Sequence, residues 1–234
     1  MPPFYRFVAA TPAIVLAALL MIIPQRQAMA VTTAGQVETV KGNASAQAGA
    51  EAARKLEKDA AFYVSDVIRT EANAAVKLKF ADETVFYLGA ESELSVDKFS
   101  YQDPAQQNGF ASRIAKGTFR FVTGLVAREK PEAMEVSTSV ATIGIRGTNV
   151  AGQADATSAT VILMEPEGEP RPTAIVVANQ YGSVTINQPG YGTNVPDQFS
   201  PPSPPRRMRL DAINSIMRSL QSVQRVNIPQ PRMR

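Results

Sequence analysis

The chain of 234 residues contains no cysteine, no histidine and no tryptophan. Without cysteine there is no disulfide, no thiol nucleophile and no lipid-bearing N-terminal cysteine. Without histidine, the side chain that titrates near neutral pH and the commonest transition-metal ligand are missing together. Any enzymatic chemistry would have to come from carboxylates, lysine, serine or tyrosine. The lack of tryptophan also leaves few flat platforms for a sugar ring. We therefore expect no enzyme, no cofactor and no bound metal.

Long apolar runs are equally scarce beyond the first thirty residues. There, Arg6 is the lone charge of a short leading segment, and Phe7 to Ile23 is almost wholly apolar, interrupted by Thr11 and Pro12. Ala28-Met29-Ala30 then offers the small-x-small pattern that a signal peptidase pocket admits. The apolar run, about seventeen residues, falls short of the roughly twenty that a membrane span prefers. Residues 1–30 thus read as a signal peptide cleaved after Ala30, rather than as an uncleaved anchor. The expected location is periplasmic or secreted, with no integral span after cleavage. A nucleic-acid partner is not expected outside the cytoplasm.

Charge is unevenly distributed. From Val31 to Pro205 acidic residues outnumber basic ones, giving −5, whereas Arg206 to Arg234 holds seven arginines against Asp211 alone. A mildly acidic body carries a strongly basic tail, so the overall pI near 9.2 describes neither part.

The body reads as β. Val76-x-Leu78-x-Phe80, Val85-x-Tyr87, Leu94-x-Val96 and Phe119-x-Phe121 alternate with period two, as half-buried strands do. Thr160 to Leu163, Ala174 to Val177 and Val184 to Ile186 are further β-rich runs. Gly42-Asn43, Gly89, Asn108-Gly109, Gly117, Gly124 and Gly182 punctuate them. Gln47 to Lys58 is rich in Ala, Glu and Lys; it reads as a solvated loop or a helical turn or two, the loop being favoured. The expected fold is an all-β antiparallel sandwich or short solenoid of many short strands over residues 31–198.

A Pro-rich stretch, Pro201-Pro202-Ser203-Pro204-Pro205, is expected to make an extended linker over 199–205. Beyond it, 206–234 forms a basic amphipathic tail. Leu210, Ile213, Ile216, Met217, Leu220 and Val223 fall on one helical face, with Arg207, Arg218 and Arg225 roughly opposite, and Pro229 and Pro231 close the helix. Three fates stay open for its apolar face, on which Leu210, Ile213, Met217 and Leu220 are the candidate contact residues: docking on the body, a partner or anionic surface, or disorder.

Four segments in order resemble the FecR-type periplasmic domain. They are Asp66-Val67-Ile68-Arg69-Thr70 leading to Ala75–Phe80; Asp82-Glu83-Thr84 through Leu88-Gly89 to Leu94-Ser95-Val96-Asp97; Gly117-Thr118-Phe119-Arg120-Phe121-Val122-Thr123-Gly124; and Ala141-Thr142-Ile143-Gly144-Ile145-Arg146-Gly147-Thr148. The resemblance spans roughly residues 35–195, with Gly182-Ser183-Val184 and Gly190 similar to closing strands. It implies a non-enzymatic interaction or sensory module with a protein partner in the cell envelope. The family's namesake senses an outer-membrane receptor and controls a sigma factor across the inner membrane. Only six residues precede the apolar run here, so direct sigma-factor control is not expected. The alternative reading is an envelope binder of glycan or peptidoglycan.

The candidate residues of the resemblance, structural or partner-contacting, are Gly117, Phe119, Arg120, Phe121, Gly144, Arg146, Gly147 and Thr148. Phe119 and Phe121 are expected in the core. Gly144 and Gly147 are expected to let the strand turn or bulge where a Cβ would clash. Arg146, between apolar strand residues, is expected to be a structural pin satisfied by a carboxylate or free carbonyls, or else a partner contact. Other patterns carry less. Glu91, Glu93 and Asp97 are close in sequence, but Glu91 and Glu93 would share a solvated strand face. Glu165, Glu167 and Glu169 lack a calcium-loop pattern. Gly190-Tyr191-Gly192 is no phosphate loop, Asn43-Ala44-Ser45 is a short chance match to a glycosylation sequon, and Arg146-Gly147-Thr148 lacks the acid of an integrin motif.

The leader reading predicts that the exported protein begins at Val31. Intact mass and N-terminal sequencing of protein recovered outside the cytoplasm check it; a product retaining Met1 to Ala30 would support the anchor instead.

Overall fold

A computed structural model describes residues 32–103, 106–147, 149–166 and 172–224; the expected leader and its cleavage point lie outside them. The chain begins with β1 (Thr33–Lys41), β2 (Ala44–Ala48), β3 (Arg54–Lys55), β4 (Ala61–Tyr63) and β5 (Asp66–Thr70). It continues through β6 (Ala75–Phe80), β7 (Val85–Leu88), β8 (Glu93–Ser100) and the long β9 (Gly109–Val122). A short helix α1 (Leu125–Glu129) and a 3-10 turn (Pro131–Ala133) lead to β10 (Met134–Thr138), β11 (Thr142–Arg146), β12 (Asn149–Ala154) and β13 (Ala159–Met164). After β14 (Ala174–Asn179), β15 (Gly182–Ile186), β16 (Tyr191–Val195) and β17 (Arg206–Arg207) comes the helix α2 (Leu210–Gln224).

These strands build two sheets. The first runs β4-β1-β6-β7-β9-β12-β13-β16-β17. The second runs β3-β2-β5-β8-β9-β10-β11-β14-β15. Every pairing is antiparallel except β9 with β10. The fold is therefore the expected all-β sandwich, and the solenoid alternative falls away, because the strands are not stacked repeat upon repeat.

Strand β9 lies in both sheets. Its first half pairs with β8 and β10, its second half with β7 and β12. The switch is at Gly117, which has φ +105°, a conformation that side chains rarely adopt. A Cβ there would sit 2.0 Å from the Ser92 hydroxyl and 2.4 Å from the Ser92 Cα. Ser92 is fixed in turn: its N–H donates to the Thr70 hydroxyl at 2.9 Å, and Thr70 donates to the Gly89 carbonyl at 2.6 Å. The Gly89 N–H then donates to the Thr118 carbonyl at 2.8 Å. The β7–β8 crossing and the β9 crossing thus lock into one corner.

Between the sheets lies a phenylalanine core. Phe80 from the first sheet meets Phe110 and Phe99 from the second at centroid distances of 4.8 and 5.4 Å. Phe119 and Phe121 are fully buried beside them, as their spacing predicts. Tilted and offset ring pairs of this kind bury large apolar areas with favourable edge-to-face electrostatics.

Two segments of the resemblance meet at another corner. The buried Asp82 carboxylate accepts from the Thr84 N–H and hydroxyl at 3.0 and 2.8 Å and from the Val126 N–H at 3.3 Å. The Gly124 N–H donates to the Thr84 hydroxyl at 2.9 Å. Burial pushes the Asp82 carboxyl above its ordinary range, and these hydrogen bonds oppose that shift. At the β12–β13 hairpin the exposed Asp155 carboxylate accepts from Ser158 and Thr157, which holds its pKa down at about 2.

The structure refines two expectations. Residues 47–58 are a solvated loop only in part: 49–53 are exposed and carry no strand, but β3 pairs with β2, and Leu56 is buried with its N–H on the Ala44 carbonyl at 2.8 Å. Arg54 anchors the segment on the fully buried Asp66, Nη1 to Oδ1 at 2.8 Å, a long-range pair that local composition does not reveal. The Pro-rich stretch forms no strand or helix, as expected of an extended linker, but it is held against β16. Pro202 is buried, the Ser203 N–H donates to the Asn194 carbonyl at 2.9 Å, and Thr193 donates to the Ser203 carbonyl at 2.6 Å. The prolines cannot donate, but Ser203 between them can.

Gly117→Ala is expected to cost about 4 kcal/mol or more, because a forbidden φ and a backbone overlap coincide. Urea unfolding followed by circular dichroism measures it; a loss below about 1 kcal/mol would mean that the crossing tolerates a side chain.

Candidate functional site

Strand alternation makes the outer face of the second sheet. On β11, Ile143 and Ile145 point into the core, so Thr142, Gly144 and Arg146 point out. On β14, Ile175 and Val177 are buried while Val176 is 40% exposed. Met134 and Val136 of β10 likewise turn inward and leave Glu135 outside. Register then aligns four outward positions in one row, Glu135, Gly144, Val176 and Thr185. Directly opposed side chains on neighbouring strands lie about 5 Å apart. Gly144 contributes none, so the row has a gap between Glu135 and Val176.

That gap is the floor of an open groove of about 480 Å³. Arg146 and Ala174 form the next row along it, and Glu132 from the 3-10 turn joins Glu135 at the other side. The groove therefore offers a small, flat floor, one apolar ridge at Val176, a guanidinium and two carboxylates. Such a surface can hold a chain segment by shape and charge. Among the described residues no three acidic side chains converge to hold a cation.

The glycines behave differently from their sequence reading. β11 pairs without a register shift, and a Cβ on Gly144 would meet Val176 at an ordinary 3.8 Å. There is no bulge; Gly144 leaves space rather than avoiding a clash. Gly147 does turn the chain, with φ +51°, and a Cβ there would meet nothing within 4 Å. Arg146 is exposed and has no ion pair among the described residues. It is not a pin, because the apolar residues beside it in sequence face the opposite side of the sheet. Thr148 lies outside the described residues.

Arg120 occupies the other sheet. It is 8% exposed and stands in register between Tyr87 and Ala151. Its Nε donates to Asn149 Oδ1 at 2.9 Å, and its guanidinium lies 5.2 Å from the Tyr87 ring centroid. Asn149 in turn donates to the Glu165 carbonyl at 2.8 Å. Helix α2 covers this face. Ile216, Leu220 and Val223 are buried against Ala75, Tyr87, Ala151 and Ile162, with Ile213 partly buried beside them. Met217 is half-buried, and Leu210 is 74% exposed at the start of the helix. Of the three open fates, docking on the body is the one the structure takes.

The carboxylates near one another in sequence do not gather. Glu91 sits in a turn with φ +53°, Glu93 pairs with Arg69 Nε at 2.9 Å, and Asp97 is exposed and accepts from Ser95. Glu91 therefore does not share a strand face with Glu93. Sequence reasoning missed Glu132, Glu135, Val176 and Thr185. Their outward phase is legible in period two, but their alignment across four strands is not.

Residues 66–166 match the sequence model of the family described as FecR protein. The match ends short of the second half of the groove, β14 and β15. Two solved structures of a candidate anti-sigma factor from Parabacteroides distasonis, at 1.65 and 2.50 Å resolution, are similar at 13% identity and a TM-score of 0.49. They cover 64% of this chain, and this chain covers 64% and 63% of theirs, under two thirds of their length. Among curated proteins none matches the chain.

Leu220→Ala is expected to cost about 2–4 kcal/mol, since it opens a hole under a docked helix. Leu210→Ala should stay within about 0.5 kcal/mol. Urea midpoints of the two variants distinguish a docked helix from a loose one; equal midpoints would contradict the docking.

Proposed function

We propose that this chain, whose residues 66–166 form a FecR domain, is an exported, non-enzymatic protein-interaction module of FecR type that holds an envelope partner in the groove on the outer face of its second sheet. The observation that carries the reading is the in-register row Glu135, Gly144, Val176 and Thr185, with its vacancy at Gly144. A floor without a side chain, flanked by an apolar ridge and by charges of both signs, suits an extended or helical protein segment better than a small substrate. On the other sheet, α2 covers the apolar patch of Ala75, Tyr87, Ala151 and Ile162. Arg146, exposed and unpaired within the described residues, supplies a planar donor that can meet a carboxylate on the partner. In this reading the FecR domain is a sensory or regulatory contact surface, and its site is in the periplasm or beyond.

Gly144→Leu tests the reading, because its Cβ fits without strain while the rest of the side chain fills the groove floor. A photo-reactive residue at Val176, activated in intact cells, should yield one discrete adduct with an envelope protein. The Gly144→Leu exchange should abolish that adduct while the urea midpoint moves by less than about 1 kcal/mol. If Val176 gives no protein adduct and the chain instead sediments with peptidoglycan, the protein-contact reading fails and the envelope glycan binder replaces it.

A further inference from the structure

The first sheet holds a second concavity, about 550 Å³, where β17 and the start of α2 meet β13 and β16. Three arginines line it, Arg206, Arg207 and Arg209. The first two belong to β17, whose pairing with β16 sets Arg206 against Gly192 and Arg207 against Tyr191. The Met208 N–H donates to the Gly190 carbonyl at 2.8 Å, so the backbone that carries the arginines is held at both strands' edge rather than trailing in solvent.

Charge in this cleft is not balanced. Arg209 makes an exposed ion pair with Asp211 at 3.4 Å, whereas Arg206 and Arg207 have no ion pair among the described residues. Among the described residues no carboxylate lines the cleft. This is unlike the rest of the body, where acidic residues are in excess. Nearby polar groups are aimed the same way. The Asn194 side-chain oxygen accepts from the Thr160 hydroxyl at 3.0 Å, which leaves its NH2 group to donate. Gln153 and Ser215 line the rim with further donors. The apolar part of the wall comes from Met208, Ala212 and Ile216.

We infer that this cleft binds a multiply charged phosphate-bearing group, with Arg206 and Arg209 as the guanidinium donors, Asn194 completing the site, and Arg207, opposite Tyr191 on the alternate side of β17, adding charge at the rim. Guanidinium forks meet phosphate oxygens in pairs, and such charge-assisted hydrogen bonds are roughly twice as strong as neutral ones. A single carboxylate would satisfy one fork, whereas a phosphate presents enough oxygens for two. The volume exceeds that of a phosphate alone and accommodates a phosphorylated sugar or the headgroup of a phospholipid. The site is separate from the groove on the second sheet, so its fate does not depend on the protein-contact reading.

The test uses the full chain at physiological ionic strength, with two probes. Calorimetry with glucose 1-phosphate and inorganic pyrophosphate reports a soluble phosphate. Flotation with phosphatidylglycerol-containing vesicles, corrected for binding to phosphatidylcholine alone, reports a headgroup. Three variants accompany it. Arg206→Gln with Arg207→Gln and Arg209→Gln removes the donors and the rim charge. Lys41→Gln with Lys58→Gln and Lys130→Gln removes equal charge elsewhere on the exposed surface. Asn194→Asp keeps the acceptor for Thr160 but places a carboxylate in the cleft. The expected result is binding that weakens about tenfold or more in the arginine and Asn194 variants and holds in the lysine variant. Response to the soluble probes places the phosphate on a sugar or free anion; response to vesicles alone places it on a lipid. No binding of either probe by the unaltered chain, or an equal loss in the lysine variant, overturns the site and leaves only a diffuse charge effect.

Discussion

Strand β9 belongs to two sheets at once, and the conformation of one residue makes that arrangement feasible. At Gly117 the backbone takes φ +105° while passing within contact of Ser92, so the chain can leave one layer and enter the other without a loop. Because β8 and β10 pair with its first half and β7 and β12 with its second, the crossing fixes the offset between the layers. The phenylalanines that face each other across the core, Phe80 and Phe110, are brought together by that offset. With no cysteine available, the layers are joined by a shared strand and a packed aromatic core in place of a disulfide.

The two outer faces then part ways. The first sheet's face is apolar along the row through Tyr87, Ala151 and Ile162, and α2 lies over it. Arg120 survives burial there because Asn149 accepts from its Nε and the Tyr87 ring lies beneath its guanidinium. The second sheet's face carries small, polar and charged positions and stays open. An apolar stripe interrupted by Arg120 alone calls for a cover, and a mixed surface does not. The chain supplies its own cover from the basic tail, and doing so also sets the Arg206 and Arg207 strand along β16.

The docked tail explains why the acidic body and the basic tail are not separate pieces. Ser203, between prolines, hydrogen-bonds to β16, and β17 extends the first sheet by one short strand. What reads as a spacer is an edge covering, which also shields part of the sheet's end from pairing with another chain. The FecR match stops at residue 166, yet β14 to β17 continue both sheets and α2 packs on the first, so the later residues are no distant appendage.

Much of the sandwich was legible in the sequence, and the reason is local. Period-two alternation is a property of a strand and its two faces, so Val76, Leu78, Phe80, Phe119 and Phe121 declared their burial without knowledge of any partner. The amphipathic phase of Leu220 and its neighbours was legible for the same reason, though not what the helix would cover. The sites were not legible, because they depend on register between strands far apart in the chain. Glu135, Gly144, Val176 and Thr185 become one row only through three separate strand pairings. Arg146 looked buried because its sequence neighbours are, yet alternate residues of a strand face opposite ways. The sequence alone determined which residues must leave water; the tertiary structure decided which surfaces remained once they had, because only long-range hydrogen-bonded pairing places distant side chains beside one another.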